Sequence, residues 1–296
     1  MHTLTKILIC FLFISNALAE FKVVTTTTNL ASLVKEIAGT EVEVLSITKG
    51  VQDPHYLEAK PSYMVKLAKA DLLISLGLGL EGGWLPLLVR GARRPELRDA
   101  SQRHMIASQY VNLLEVFKDR EVTRADGDIH PQGNPHFMLG PKNSIKLGEA
   151  VLQRLSQLKP ESAKAFSKNY VQFKEKMQTL LDKLHAKIKP NQKVISYHRT
   201  LSYFYSEFQI DFVEVLEPKP GIPPTAKHIM QVIDRIKNEK IKHVLIENYF
   251  DDSVAHKIEY EIPNLKVHTI PVAVDGSPKI TDLFELYEEI GKIFYE

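Results

Sequence analysis

Short apolar runs alternate with amphipathic segments along the first third of the chain. Three runs rich in β-branched and aliphatic residues predict strands over residues 21–28, 42–48 and 71–76. Apolar positions at helical spacing lie between these runs and predict helices over residues 30–38 and 61–70. Strands that alternate with helices in this way are typical of βα units and a largely parallel sheet.

The two predicted helices carry recognisable end signals. Asn29 precedes the first helix and is predicted to be its N-cap, because a short polar side chain there accepts a hydrogen bond from a free N–H group of the first turn. Gly39 follows as the stop signal of that helix. Pro61 opens the second helix, at a position where its missing N–H group has no cost.

The same rhythm returns after Pro190, so the two ends of the chain resemble each other in layout. Strands are predicted over residues 193–197, 210–216, 243–247 and 266–271, and helices near 200–208, 225–240, 252–262 and 282–295.

Residues 160–189 differ from both ends, because proline brackets a long run of good helix formers without internal glycine or proline. One helix of ~45 Å at 1.5 Å per residue would span a whole domain. We therefore predict an α/β fold of two βα lobes with mainly parallel sheets, joined by one long connector helix. The predicted boundaries are residues 20–158 for the N-terminal lobe, 159–190 for the connector and 191–296 for the C-terminal lobe.

The first 19 residues predict an exported protein. Lys6 is followed by an apolar run over residues 7–14 and by Ala17-Leu18-Ala19, the pattern of a signal peptide cut after Ala19. Cys10, the only cysteine, lies inside this apolar run, so cleavage leaves no thiol for a disulfide or a metal site. Loss of Lys6 lowers the formal net charge from +2 by one, and this near balance argues against a nucleic-acid surface.

Three histidines lie just beyond predicted strands or in proline-restricted loops. His55 stands in Asp-Pro-His, His136 in Asn-Pro-His and His198 in Ser-Tyr-His. Ligands of open parallel sheets collect at the carboxyl ends of strands, and neutral imidazole is the commonest metal ligand among side chains. Each histidine alone fits an incidental turn or a sheet-edge hydrogen bond. Together they predict a transition-metal site between the lobes.

The other histidines are interpreted as structural or solvated. His243 and His268 have no partner at ligand spacing, and His256 and Glu259 fit a surface hydrogen bond one helical turn apart. His130 is ambiguous, since it belongs either to a solvated loop or to a position that captures incoming metal transiently.

Residues 77–82 form a G-x-G-x-x-G sequence that resembles a nucleotide-binding turn. A Rossmann site also needs a second apolar strand ending in an acid ~20 residues later, but residues 90–99 are densely charged. We interpret the glycines as a tight turn beside the cleft, with Trp84 packed against it. The chain also lacks a G-x-S-x-G elbow, an H-E-x-x-H motif and a P-loop.

Five motifs follow one another along the chain: DPHYLEAKPS (53–62), GLGLE (77–81) before Trp84, GNPH (133–136), SYH (196–198) and IE (246–247). This ordered set resembles the TroA-like metal-binding receptors of ABC importers, in their zinc branch, over essentially the whole mature chain. Many zinc members carry a long His-rich loop between the first two ligand motifs, here those of His55 and His136, whereas residues 118–132 of this chain are short and acidic.

The resemblance implies a two-lobed receptor with little hinge motion and one metal ion in the cleft. His55, His136 and His198 match the three imidazole ligands. The fourth ligand is an acid near the C-terminus, placed at Asp282 with Asp275 as the alternative. Glu58 is either a residue that orients an imidazole or an exposed salt-bridge partner.

A set of three imidazoles and one carboxylate suits tetrahedral Zn²⁺, whereas Mn²⁺ prefers more oxygen ligands. The leading hypothesis is a monomeric periplasmic protein, without catalytic residues, that carries Zn²⁺ as transported ligand to an ABC permease in the membrane. A manganese or iron receptor of the same architecture is the first alternative. An exported zinc hydrolase is another, because three protein ligands would leave a position for activated water. A surface adhesin with structural metal is the last.

Overall fold

The computed structural model describes residues 20–98, 101–117, 129–219 and 221–295. The predicted signal peptide, with Cys10, lies outside the described residues, as do residues 118–128 of the predicted acidic loop. Within the described ranges, no helix is both long enough and apolar enough to cross a membrane.

The N-terminal lobe contains a four-stranded parallel sheet whose strand order is β2-β1-β3-β4. Each of its first three strands is followed along the chain by a helix, as the sequence predicts. The strands are β1 Lys22–Thr25, β2 Glu43–Ser46, β3 Leu72–Ser75 and β4 His104–Ile106, and the helices are α1 Thr28–Ala38, α2 Pro61–Ala68, α3 Leu85–Gly91 and α4 Pro141–Leu158.

The C-terminal lobe repeats this topology with strand order β6-β5-β7-β8. In both lobes the first strand in sequence lies between the second and the third, so a crevice opens at their carboxyl ends. The strands are β5 Lys193–Ser196, β6 Asp211–Val215, β7 His243–Glu247 and β8 Lys266–Ile270, and the helices are α6 Ser202–Phe208, α7 Ala226–Glu239, α8 Ser253–Glu261 and α9 Leu283–Lys292.

The predicted long helix is α5, Ala163–Lys187, with 25 residues and a length of ~38 Å. It packs on α1 and α4 of the first lobe and on α9 of the second. Its buried side chains belong to one apolar cluster that reaches from Val23 in the first sheet to Phe294 near the C-terminus. This apolar cluster packs the two lobes against the same helix.

Asn29 is not the N-cap of α1, contrary to the sequence prediction. Thr27 takes that role, because it is extended and its hydroxyl accepts the Leu30 N–H at 3.4 Å. The Asn29 side chain instead joins the two lobes: its Nδ2 donates to Val272 O (3.2 Å) and its Oδ1 accepts the Val274 N–H (2.8 Å). A buried amide needs hydrogen-bond partners, and Asn29 finds them on the other lobe.

Candidate metal centre

The structure brings His55, His136 and His198 together between the lobes. One ring nitrogen from each lies within 4.8 Å of the others. The ring centroids are 5.2 Å apart for His55 and His136, 5.7 Å for His55 and His198, and 5.4 Å for His136 and His198. Three imidazoles at these distances place nitrogen donors around one point, and imidazole nitrogen is a ligand type that Zn²⁺ prefers.

His55 is held by its own loop between β2 and α2. Asp53 Oδ1 accepts the His55 backbone N–H at 2.9 Å and lies 2.7 Å from its Nδ1. Trp84 Nε1 donates to the Pro54 carbonyl at 2.9 Å and so ties the loop to the glycine turn. His55 Nε2 is buried and has no hydrogen-bond partner among the described residues. The ring therefore offers Nε2 as a free donor atom.

Asp53 is ionised beside this ring. Burial by itself raises the pKa of Asp53, but the hydrogen bond and the charge of His55 outweigh burial and leave that pKa below its usual value. A carboxylate at Nδ1 selects the tautomer with the proton on Nδ1, which leaves the lone pair on Nε2.

His198 has the same kind of partner in the other lobe. Its Nδ1 lies 3.2 Å from Glu217 Oε2, and both side chains are buried. Glu217 follows β6, whereas His198 follows β5, the neighbouring strand. Two of the three imidazoles thus have a carboxylate behind them, the arrangement that raises the basicity of a metal-binding nitrogen.

His136 is fixed through its backbone and is buried. Its N–H donates to Asn134 Oδ1 at 2.9 Å, and the Tyr203 hydroxyl of α6 donates to the Asn134 carbonyl at 2.7 Å. Burial, followed by the charges of His55, His198 and His130, holds the pKa of His136 well below 6.5. Its buried Nε2 has no hydrogen-bond partner within the described residues. A neutral imidazole whose buried nitrogen has no hydrogen-bond partner can bind a cation.

Asp282 does not join the group, contrary to the sequence prediction. Its Oδ1 accepts the Glu285 N–H at 2.8 Å as the N-cap of α9, and its Oδ2 lies 3.7 Å from Lys176 Nζ. Asp275, the alternative, is exposed in a left-handed turn with φ 60° and is also absent from the group. An aspartate at the start of a helix is an ordinary N-cap, and this role accounts for Asp282.

Glu58 is not the residue that orients His55. Its side chain is 82% exposed and lies 3.7 Å from Lys60 Nζ, the exposed salt bridge that was the alternative. The acids that do contact the imidazoles are Asp53 and Glu217. Asp53 was visible in the Asp-Pro-His motif, whereas no local signal marks Glu217, which is 19 residues beyond His198.

His130 borders the same site. Its ring centroid is 5.3 Å from that of His55, and its Nδ1 lies 2.8 Å from the Leu78 carbonyl. Gly77 and Gly79 have φ of 86° and 84°, so the glycine run forms the predicted tight turn and presents this carbonyl. His130, His136 and His198 line a cavity of about 70 Å³. His130 thus lies beside His55 and lines the cavity, but it is not one of the three clustered histidines.

A second histidine pair lies away from the cleft, on β7 and β8. His243 Nδ1 is 3.0 Å from His268 Nε2, although neither residue has a partner at ligand spacing in the sequence. The two residues are 25 positions apart, and only the pairing of β7 with β8 brings them together. His256 and Glu259 form the predicted surface hydrogen bond at 2.9 Å.

Glu247 at the end of β7 is a buried acid beside this centre. Burial raises its pKa from 4.5 to about 8, and the carboxylates of Glu217 and Asp53 act in the same direction. One of its oxygens, Oε2, has no hydrogen-bond partner among the described residues. The folded protein therefore retains a proton that the unfolded chain releases between pH 4.5 and 8.

Glu247→Gln is expected to stabilise the metal-free protein at pH 8 by roughly 2–4 kcal/mol. The reason is that folding raises the pKa of Glu247. The folded protein therefore loses stability as the pH rises from 4.5 to 8, whereas glutamine has no proton to lose. The gain should shrink toward zero near pH 4.5. Chemical unfolding of both proteins at several pH values measures it, with Glu289→Gln on the surface as control. Parallel stability profiles for Glu247→Gln and the parent would contradict the assignment.

Comparisons with known proteins show what the whole chain is similar to. The family model described as zinc-uptake complex component A, periplasmic, matches residues 23–293. The chain is 25% identical over 272 residues to the metal ABC transporter substrate-binding lipoprotein FimA of Streptococcus parasanguinis, covering 88% of this chain and 84% of the relative. It is also 25% identical over 267 residues to the manganese ABC transporter substrate-binding lipoprotein PsaA of Streptococcus pneumoniae, covering 87% and 82%.

Solved structures share the fold. A zinc-bound ZnuA deletion mutant superimposes with a TM-score of 0.75 at 21% identity, over 93% of this chain and 96% of that one. A manganese-bound periplasmic metal-binding protein from Candidatus Liberibacter asiaticus also gives 0.75, at 17% identity, over 93% and 100%. Both likenesses concern the two-lobed architecture with its long connecting helix.

Proposed function

We propose that this chain captures Zn²⁺ between its lobes and delivers it to an ABC permease. The chain belongs to the family of periplasmic A components of zinc-uptake complexes. Members of this family are extracytoplasmic solute-binding receptors of metal ABC transporters and not enzymes. A metal ion and a permease are thus the expected partners of this chain. The finer points of the proposal are the metal, the ligands and the periplasmic location.

The donor set is the observation that carries the choice of metal. Three imidazole nitrogens lie within reach of one ion, and among the described residues no carboxylate joins them. Imidazole suits Zn²⁺, while Mn²⁺ prefers oxygen donors in larger number. The three imidazoles leave one tetrahedral position for a further donor. His55, His136 and His198 are therefore the ligands we propose.

A manganese or iron receptor is the second candidate. The name of the pneumococcal relative favours it, because that protein is a manganese-binding component of the same transporter class. The donor set of this chain argues the other way. Cu²⁺ should bind such nitrogen donors at least as tightly as Zn²⁺, so copper affinity does not separate the two candidates.

Competition titrations with Zn²⁺ and Mn²⁺ test the proposal on protein purified without chelator or affinity tag. We expect zinc to co-purify and the dissociation constant for Zn²⁺ to be at least ~100-fold lower than for Mn²⁺. His256→Ala, which removes an exposed histidine on α8, should leave both values unchanged. Retention of manganese, or equal affinities for the two ions, would favour the second candidate.

A further inference from the structure

We propose that Glu217 couples occupation of the three-imidazole site to the order of an exposed turn at its rim. The turn, here called the rim turn, comprises residues 217–219 together with 221 and 222. The inference rests on the proposed function, because it needs an ion bound at His198. Glu217 acts here as a positioning residue, since it contacts the imidazole and not the ion.

The Glu217 carboxylate contacts both the His198 ring and the rim turn. Glu217 Oε2 lies 3.2 Å from His198 Nδ1, and Glu217 Oε1 accepts the Gly221 N–H at 2.9 Å. Glu217 is only 5% exposed, and its own N–H donates to the Tyr197 carbonyl at 3.0 Å. The backbone of Glu217 is thus held by Tyr197, and its side chain contacts both the buried His198 ring and the exposed backbone at Gly221.

The rim turn itself is exposed and closely wound. Pro218, Lys219 and Gly221 are exposed, and Ile222 is 44% exposed. Gly221 has φ 79°, which favours glycine at this position, and the Ile222 N–H donates to the Lys219 carbonyl at 2.9 Å. The hydrogen bond from the Gly221 N–H to Glu217 joins this exposed turn to a buried side chain.

An ion on His198 strengthens this connection. A cation bound at Nε2 withdraws electron density from the imidazole ring, which makes the Nδ1–H group a better donor to Glu217. The carboxylate is then held more firmly and keeps its second bond to Gly221. Because Glu217 and Pro218 line the same cavity as His136 and His198, the change reaches the surface over one side chain.

Asp53 provides a contrast within the same site. Its Oδ1 accepts the backbone N–H of His55 and faces Nδ1 of the same residue, so its contacts stay inside one loop. Glu217 instead connects His198 to a backbone segment that faces solvent. The rim turn therefore presents the permease with a surface that differs between the loaded and the empty receptor.

Amide hydrogen exchange resolved at Gly221 tests the proposal, with and without saturating Zn²⁺. In the parent protein we expect zinc to slow exchange of this amide by about five-fold or more. In Glu217→Gln the effect should disappear even at zinc concentrations that fill the site. Asp53→Asn is the matched control: zinc should bind more weakly there, by about 10- to 100-fold, yet still slow Gly221 once the site is full.

Two results would overturn the proposal. One is bound zinc without any slowing at Gly221 in the parent protein, which needs no variant to be folded. The other is equal slowing in Glu217→Gln and the parent. Failure of the proposed function looks different, because it would appear in the titrations, as retained manganese or equal affinities for the two ions, and not in the exchange at Gly221.

Discussion

Replacing His136 with alanine is expected to weaken Zn²⁺ binding by roughly 100-fold or more, with the fold intact. Loss of residues that merely support a metal ligand costs 10- to 100-fold, and His136 is one of only three imidazoles in the group. The substitution also removes a buried ring nitrogen that has no hydrogen-bond partner among the described residues, so it does not strand another polar group. Chelator competition measures the affinity.

Circular dichroism and thermal unfolding provide the check on folding for this variant. His256→Ala serves as the matched histidine control, since its ring lies on the surface of α8 and bonds to Glu259. The parent should gain about 2.7 kcal/mol at a zinc concentration of 100 times its dissociation constant, and His136→Ala should gain almost nothing at that same concentration. Parental affinity in His136→Ala would remove this residue from the ligand set.

Zinc affinity is expected to fall as the pH drops from 7.5 to 5.5. Metal and protons compete for the same imidazole lone pairs, so acid favours the empty receptor. His136 takes little part in this competition, because burial keeps its pKa well below 6.5 and its ring stays neutral through the window. His136 should therefore add no displaced proton to this competition. We expect zinc affinity to fall by roughly ten-fold or more over this range.

Competition titrations across this range, corrected for protonation of the chelator, measure the slope. Far-ultraviolet circular dichroism at pH 5.5 must show the folded protein, which separates ligand protonation from unfolding. A flat affinity would mean that imidazoles do not hold the ion. If the logarithm of the zinc affinity changed by about three per pH unit, three protons would be displaced. His136 would then be protonated in the empty protein, against the effect expected of its burial.

The fold was largely predictable because its elements have strong local signals. The strand predicted over residues 243–247 is observed as His243–Glu247, and the helix over 225–240 as Ala226–Glu239. Buried parallel strands are continuous apolar runs, and α5 is a long run of helix formers. Each of these elements is specified by its own residues, so no knowledge of the tertiary contacts was needed.

Elements without such signals were missed. The strand His104–Ile106 has three residues and follows a charged segment, so no periodicity marks it. His104, which had no evident role, reaches Ser75 Oγ with its Nε2 at 2.8 Å. Asn29 carries the right chemistry for an N-cap, but its partners lie about 245 residues away in the other lobe. Tertiary contacts decided the structure in both cases.

The site residues also differ in whether the local sequence marks them. The three histidines were identifiable because each stands at a strand end or after a proline, where parallel topology directs them to one crevice. Asp282, the predicted fourth ligand, lies outside the histidine group and caps α9, a role that its helix-start sequence also fits. Glu217 was missed because only the pairing of β5 with β6 carries it to His198. Chemistry that depends on strand pairing has no signature in local sequence.

The position of the bound ion decides whether the three imidazoles are its ligands. Anomalous diffraction at the zinc edge, from crystals of the zinc-loaded protein, should show one ion between the lobes. Ring nitrogens of His55, His136 and His198 should lie at ~2.0–2.1 Å from it. An ion bound elsewhere, or one coordinated by fewer than these three imidazoles, would rule out this ligand set.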